Sequence, residues 1–366
     1  MSAVSVPGGP AAAGRGGDIV LSIDAMSGER GLGEVVRGMG KSLSENGRLR
    51  YILHGDAEAL RDAIRPRSLL LERTEVRHAA SVVAMDEKPS RALRTGQGSS
   101  MWNALETVKS GESRVTISCG NTGALMALAM LLLRKAPGVN RPAIAVLWPS
   151  LNPSGYNVLL DAGADIRADA EDLLRFAQMG ASYARNAFGL RRPRVGLLNV
   201  GVEEHKGRPE LHEAAALIGE AAPVGDFEYI GYVEGSDMAS GRVDVIVTDG
   251  FTGNIALKTG EGTAGMIRGL LREAFSYSPL SRIGALFAYT SLQRLSRRID
   301  PRRANGGVFL GLNGSVIKSH GSADATGISA AIRLGATLAE NGFAERLAAR
   351  VAPTAAAGKA HGMLPT

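Results

Sequence analysis

One local pattern recurs along this chain: a short apolar run breaks into a glycine-rich polar turn and then, in the clearest cases, into a helical pattern. In residues 244–259 (DVIVTDGFTGNIALKT), Val245, Ile246 and Val247 read as a buried strand. Asp249, Gly250 and the Gly253-Asn254 pair break it, and a helical pattern follows from about Ile255. Residues 115–119 (VTISC) run into Gly120-Asn121-Thr122-Gly123 and an apolar helix. Residues 195–200 (VGLLNV) run into a polar loop carrying Glu203, Glu204, His205 and Lys206. Residues 19–23 run into Asp24-Ala25-Met26-Ser27-Gly28. In open α/β sheets ligands bind beyond the carboxyl ends of strands, and helix N-termini hold anions. Several such edges with ligand-capable residues imply one shared crevice. An amide (Asn254) and a lysine (Lys258) in one turn suit an anion or a carbonyl.

The wider pattern gives strands at 19–23, 50–54, 82–85, 115–119, 143–147, 157–161, 195–200, 227–232 and 243–248, then 308–312 and 315–318. Helices fall between most of them, at 31–45, 57–64, 89–94, 101–110, 120–134, 170–188, 212–220 and 326–349. This alternation predicts a mostly parallel sheet covered on both faces, a three-layer αβα architecture. Segments 143–147 and 157–161 leave no room for a crossover helix, so they read as an antiparallel, hairpin-like insertion.

Residues 261–303 depart from this grammar. Strand signals vanish, and eight arginines (268, 272, 282, 294, 297, 298, 302 and 303) face only Glu261, Glu273 and Asp300. Leu280, Ile283, Leu286, Phe287, Leu292, Leu295 and Ile299 recur mainly at steps of three and four. That is an amphipathic, basic helical insertion. It suits either the surface of an anionic membrane or packing in a dimer interface or on its own core.

A chain of 366 residues with 45% hydrophobic side chains can bury a large core. The net charge of +6 permits an acidic protein partner, an anionic substrate or an anionic membrane surface. No helix-turn-helix, zinc-finger or RRM signature points to nucleic acid. The single cysteine, Cys119, precludes an internal disulfide and, at the end of a strand, reads as a small core residue. No run reaches the roughly 18 apolar residues of a spanning helix, and the first residues lack a signal-peptide pattern, so a cytoplasmic protein is expected. Segments 1–17 and 352–366 read as disordered ends around a working unit at 18–351.

Familiar catalytic signatures are missing. Gly38-Met39-Gly40-Lys41-Ser42 ends like a P-loop, but Val35 stands where the first glycine is required. No GxGxxG follows the first strand, no His, Cys or carboxylate spacing suggests a metal, and no GxSxG elbow accompanies His320.

Taken together and in order, several motifs resemble the bacterial phosphate acyltransferase family of phospholipid synthesis. They are Asp24-Ala25-Met26, residues 118–124 (SCGNTGA), Arg141-Pro142-Ala143, residues 160–164 (LDAGA), residues 195–201 with Glu204 and Lys206-Gly207, residues 248–254 (TDGFTGN), and Lys318-Ser319-His320-Gly321-Ser322. Ser27-Gly28 and Glu29 depart from the glycine pair and aspartate usual after the first motif. The resemblance implies an isocitrate/isopropylmalate dehydrogenase-like fold. It also implies attack of inorganic phosphate on an acyl-acyl carrier protein thioester, with no metal or organic cofactor. It implies a homodimer at the inner face of the membrane, feeding a membrane glycerol-3-phosphate acyltransferase. By the same resemblance Lys206 and Asn254 are the catalytic pair, Lys206 orienting phosphate and Asn254 donating to the thioester oxygen. Asp24, Asn121, Thr122, Gly123, Asp249, Lys258 and His320 are the candidate substrate-binding residues. A short-chain phosphotransacetylase using acyl-coenzyme A, and a non-catalytic membrane scaffold, are the alternatives.

Overall fold

The structure, a computed structural model, describes residues 17–298 and 306–349. The segments 1–16 and 350–366, and with them nearly all of the expected disordered ends, lie outside the described residues, as do 299–305 of the basic insertion. Eleven strands form one sheet in the order β3-β2-β1-β4-β11-β10-β5-β6-β9-β7-β8. They are β1 (Ile19–Asp24), β2 (Leu49–Gly55), β3 (Thr74–His78), β4 (Val115–Ser118), β5 (Ala143–Pro149), β6 (Tyr156–Leu160), β7 (Arg194–Leu198), β8 (Glu228–Val233), β9 (Val245–Val247), β10 (Gly307–Leu310) and β11 (Ser315–Lys318). Strands β1, β2, β3, β4 and β11 run parallel. Strand β10 is antiparallel to both of its neighbours, and β5 is antiparallel to β6. Strands β6, β9, β7 and β8 are again parallel to one another. The expected antiparallel pairing of β5 with β6 is present.

The core follows from side-chain alternation along each strand. Val308, Leu310, Ala143, Ala145 and Ile317 point to one face, while Phe309, Ile144 and Val316 point to the other. The first face is covered by α1 (Leu32–Glu45), α2 (Ala57–Ile64), α3 (Ser68–Arg73), α7 (Ala170–Phe188), α8 (Pro209–Ala221) and α12 (Ala325–Glu340). The second is covered by α4 (Pro89–Thr95), α5 (Ser100–Lys109) and α6 (Thr122–Leu133), and farther along by α9 (Gly250–Ser276). This is the three-layer, mostly parallel arrangement that the alternation of strands and helices implies. Local chemistry sets the helix ends. Asp169 and Asp172 form a capping box on α7, and Gly189 ends it in the left-handed conformation, φ 68°.

Three expectations need correction. The run 82–85 is not a strand; Val82 and Met85 are exposed loop residues. The edge strand is instead β3, whose alternation half-buries Thr74 and Val76 and sets the charged Glu75 and Arg77 on the other face, a common guard on an unpaired sheet edge. The helix after β9 starts at Gly250 and not near Ile255, because the Asp249 carboxylate accepts from Thr252 N at 2.8 Å and caps it. The final helix stops at Glu340 and a turn precedes a further helical stretch at 343–349.

The basic insertion is helical. Beyond α9 come α10 (Pro279–Phe287) and α11 (Tyr289–Arg298), and the only buried residues of α9 are Gly250 and Gly253 near its start. Helix α10 buries none of its residues, and Phe287 is 88% exposed. No helix among the described residues is long and apolar enough to cross a membrane.

Candidate active site

Two neighbouring strand ends build the site. Strand β6 ends at Leu160, and the fully buried Asp161 follows. Its carboxylate accepts from Ile144 N at 2.8 Å, Gly163 N at 3.1 Å, Ala164 N at 3.0 Å and Asp165 N at 2.8 Å. The loop 162–165 is therefore wound around one carboxylate, which satisfies backbone donors that burial would otherwise orphan. The loop in turn receives helix α9: Gly250 N donates to Asp165 O at 2.8 Å. A Cβ at Gly253 would sit on the Asp161 carbonyl oxygen, so only glycine lets helix and loop approach this closely.

That approach fixes Asn254. Its side-chain amide donates to Ala162 O at 3.1 Å. An amide nitrogen carries two hydrogens, and the residue is exposed, so one N–H remains beyond the bond to Ala162 O. Asp249 beneath it is buried. Burial alone would push its pKa up, but the Thr252 N–H and the Arg208 guanidinium outweigh that and hold the carboxyl below its usual range.

Lys206 lies in the loop after β7, the strand beside β9. Asn199 braces this loop, accepting from Val200 N at 2.8 Å and donating to Lys206 O at 2.9 Å. The Lys206 ammonium is exposed and pairs with Glu203 at 2.7 Å, which raises the lysine pKa and lowers that of the glutamate. An ion pair between Arg208 and Asp249 joins this loop to the start of α9. So Lys206, Arg208 and Asn254 come to one edge: a cation, a second cation two residues on that is paired with Asp249, and an amide donor in the first turns of a helix.

The remaining candidates do not share that edge. Strand β10 is antiparallel to both neighbours, so β5 keeps the direction of β11; the antiparallel β5–β6 pair then turns the sheet over, and the carboxyl ends of β1, β4 and β11 lie at the opposite edge. The expectation of one shared crevice is corrected accordingly: within one chain the loops form two groups. Asp24 accepts from Ser118 Oγ at 2.6 Å and is buried. Asn121 caps α6 by accepting from Ala124 N at 3.0 Å, and its amide donates to Met85 O at 2.7 Å and Glu87 O at 2.9 Å. Thr122 and Gly123 form the exposed first turn of α6. His320 pairs through Nδ1 with Ser322 Oγ at 2.8 Å. Lys258 pairs with Glu261 at 2.9 Å. It lies nine residues along α9 from Asp249, about 14 Å at the helical rise, which matches the width of a four-to-five-residue strand. Its charge is felt by Lys318 at the end of β11, whose pKa is lowered chiefly by burial. Helix α9 thus runs from the Lys206–Asn254 edge to the Asp24 edge.

Sequence reasoning missed Asp161, Arg208, Glu203 and Lys318. The signal for Asp161 was an aspartate opening the Gly-containing turn Ala162-Gly163-Ala164, a placement that favours side-chain capture of backbone N–H groups. Cys119 is buried, and burial raises its thiol pKa, in keeping with a core residue.

The family model described as "Fatty acid synthesis protein" matches residues 19–346. A phosphate acyltransferase of Paracoccus denitrificans is 63% identical over 354 residues, covering 96% of each chain. One from Ruegeria pomeroyi is 64% identical over 340 residues, covering 93% of this chain and 92% of that one. Among solved structures, a phosphotransacetylase from Streptococcus pyogenes aligns with a TM-score of 0.60 at 17% identity, over 88% of this chain and 94% of that one. The EutD phosphotransacetylase from Staphylococcus aureus aligns at 0.56 and 14% identity, with the same coverage. These two likenesses establish the fold. With its motifs in register and near-full-length relatives at such identity, this chain belongs to the phosphate acyltransferase family of acyltransferase enzymes.

Proposed function

We propose that the protein transfers a long-chain fatty acyl group from an acyl carrier protein thioester to inorganic phosphate, giving an acyl-phosphate for phosphatidic acid synthesis. The observation that carries this reading is that Lys206, in the loop after β7, and Asn254, in the first turns of the helix after β9, follow neighbouring strands and are tied together by the Arg208–Asp249 ion pair. The names of the near-full-length relatives support the same chemistry.

A phosphate oxygen attacks the thioester carbonyl carbon. A C–O bond forms, negative charge gathers on the carbonyl oxygen, and the C–S bond then breaks to release the carrier thiolate, which takes a proton from solvent. Phosphate is already a nucleophile and a thiolate a fair leaving group, so the enzyme's task is placement and charge stabilisation. Lys206, with Arg208 beside it, draws the phosphate dianion. The free N–H of Asn254 meets the developing oxyanion. One such donor is worth about 3 kcal/mol or somewhat more in the transition state, and positioning adds several more.

The working unit in this reading spans 18–351, with 261–303 as its helical insertion, and acts as a homodimer in the cytoplasm. The exposed Leu280, Leu286 and Phe287 of α10, with the surrounding arginines, suit peripheral contact with an anionic membrane. There the product would pass to a glycerol-3-phosphate acyltransferase. The acidic carrier protein is the other partner that a basic surface favours. Binding to anionic vesicles should be lost in an Ile283/Leu286/Phe287→Asp variant; unchanged binding would remove the membrane contact.

The deciding experiment is mass spectrometry of the products from palmitoyl-carrier protein and phosphate. Acyl-phosphate and free carrier protein are expected. Product from acyl-coenzyme A alone would make the enzyme a phosphotransacetylase, and product from neither donor would sink the reading.

A further inference from the structure

A groove of about 510 Å³ opens beside the Asn254 turn. One wall is α6, where Met126 and Met130 stand one turn apart on the same face. Pro142 and Ala164 face them from the start of β5 and from the loop wound around Asp161. That loop is the one that binds the Asn254 amide through Ala162 O and the start of α9 through Asp165 O. The groove therefore begins two residues from the carbonyl that positions the proposed oxyanion donor.

Its lining says what it takes. Its apolar part is Met126, Met130, Pro142 and Ala164; Arg134, Lys135, Asn140, Arg141 and Asp165 complete the lining. Methionine is unbranched and polarisable, and adapts to apolar partners of varied shape. Much of the charge there is spent on neighbours: Lys135 Nζ donates to Asn140 O at 2.8 Å. Arg141 there is paired with Asp165 and Asp172. Arg134 stands at the C-terminal end of α6 in a left-handed conformation, φ 61°, that a side chain rarely adopts, and its carbonyl accepts from Asn313 N at 3.1 Å. A volume of this size lies within the range of small-ligand sites.

We propose that this groove holds the fatty acyl chain of the thioester, running from a carbonyl at Asn254 along Met126 and Met130. The assignment rests on the acyl transfer to phosphate proposed above, and it makes the groove the element that reads chain length.

The test compares kcat/KM for C8, C12, C16 and C18 acyl-carrier thioesters in the full-length enzyme and two variants. Met130→Trp narrows the groove at a half-exposed helix position. Each methylene shut out costs about fourfold in affinity, so the C16-to-C8 ratio should fall tenfold or more. Met126→Ala lengthens the groove and should raise the C18-to-C16 ratio at least twofold. A ratio within twofold of wild type for Met130→Trp overturns the proposal. So does an equal rise of KM at every chain length, the mark of a groove that holds the phosphopantetheine arm instead. Circular dichroism checks folding; should Met130→Trp not fold, Met126→Ala decides, and an unchanged ratio there overturns the assignment.

Should the wild-type enzyme make no acyl-phosphate from any thioester, the proposed reaction fails and the groove is read directly. Fluorescent cis-parinaric acid, an 18-carbon chain, should then bind saturably to wild type and at least tenfold more weakly to Met130→Trp. Equal binding overturns the groove assignment.

Discussion

The two edges of the sheet carry equally polar loops and use them in opposite ways. Beyond β1, β4 and β11 the polar groups turn inward: Asp24 and Ser118 are buried against each other, with Asp24 Oδ1 left without a partner among the described residues, and the Asn121 side chain is consumed by one helix cap and two loop carbonyls. Beyond β6, β7 and β9 the buried carboxylates Asp161 and Asp249 do the structural work, leaving Lys206 and Asn254 exposed on top of them. A polar side chain whose hydrogen-bonding capacity is spent on its own backbone shapes a loop. One held rigidly with a donor to spare can act on a ligand.

The sharpest way to break this comparison is to truncate the spare donor. Asn254→Ala should lower kcat by about 10²–10³, or roughly 2.7–4 kcal/mol of transition-state stabilisation, with the thermal midpoint nearly unchanged. Steady-state kinetics of acyl-phosphate release reads this directly. A loss below tenfold would return Asn254 to a loop-bracing role through Ala162.

The inward-turned edge predicts a pH effect on stability and none specific to catalysis. His54, at the end of β2, is buried with Nε2 at 3.1 Å from both Ser22 Oγ and Thr107 Oγ, while Nδ1 has no protein partner. Burial, more than the nearby Arg77, lowers its pKa to about 4. Above pH 6.5 the ring is neutral folded or unfolded. Below that the unfolded chain takes the proton first, so stability falls as the pH drops from 6.5 towards 4, by about 3 kcal/mol once both forms have titrated. Urea unfolding at pH 7 and 4.5 should show most of that loss, and His54→Gln should flatten this part of the slope. An unchanged slope would place the acid sensitivity elsewhere.

Lys206→Ala should cost about ten- to a hundredfold in kcat/KM for phosphate, with much of it in KM, because the lysine is exposed and Arg208 stays beside it. Lys206→Arg should recover part of the loss. Asn121→Ala, the matching truncation at the other edge, should cost about 1 kcal/mol of stability through the lost cap of α6, with turnover close to wild type. Equal losses of turnover in Asn121→Ala and Asn254→Ala would erase the distinction between the two edges.

Much of this was legible in the sequence, for reasons that particular residues make plain. Buried strands such as Val245-Ile246-Val247 announce themselves because both faces are covered, so apolar residues run on without interruption. The edge strand β3 hides because one side of it must be charged, and the apolar run at 82–85 misleads because scattered exposed apolar residues are ordinary. Lys206 and Asn254 could be named from their motifs. Asp161 left a trace in the turn it opens, but its bond from Ile144 N and the pairing of Arg208 with Asp249 join segments far apart in sequence, which no local pattern records. The split into two edges follows from the reversal between β5 and β6, which their short connection does record; what stays hidden is that β10 sits between β11 and β5 and joins the two halves into one sheet.

The smallest predicted effect concerns what restrains the exposed lysine. Glu203 pairs with Lys206 at 2.7 Å, and both groups are open to solvent. Such a pair adds little to stability and weakens with salt. It does place an anion where the phosphate dianion must arrive, so ammonium and substrate compete for the same contact. Glu203→Gln removes that competitor and leaves the loop held by the Asn199 side chain. The expected result is a fall of about twofold in the KM for phosphate at low ionic strength, vanishing near 0.5 M salt, with kcat and the thermal midpoint unchanged. A rise in KM would give Glu203 the opposite role, that of aiming Lys206 at the phosphate. The exposed cation would then owe its position to a neighbour's charge, as Asn254 owes its position to the turn beneath it.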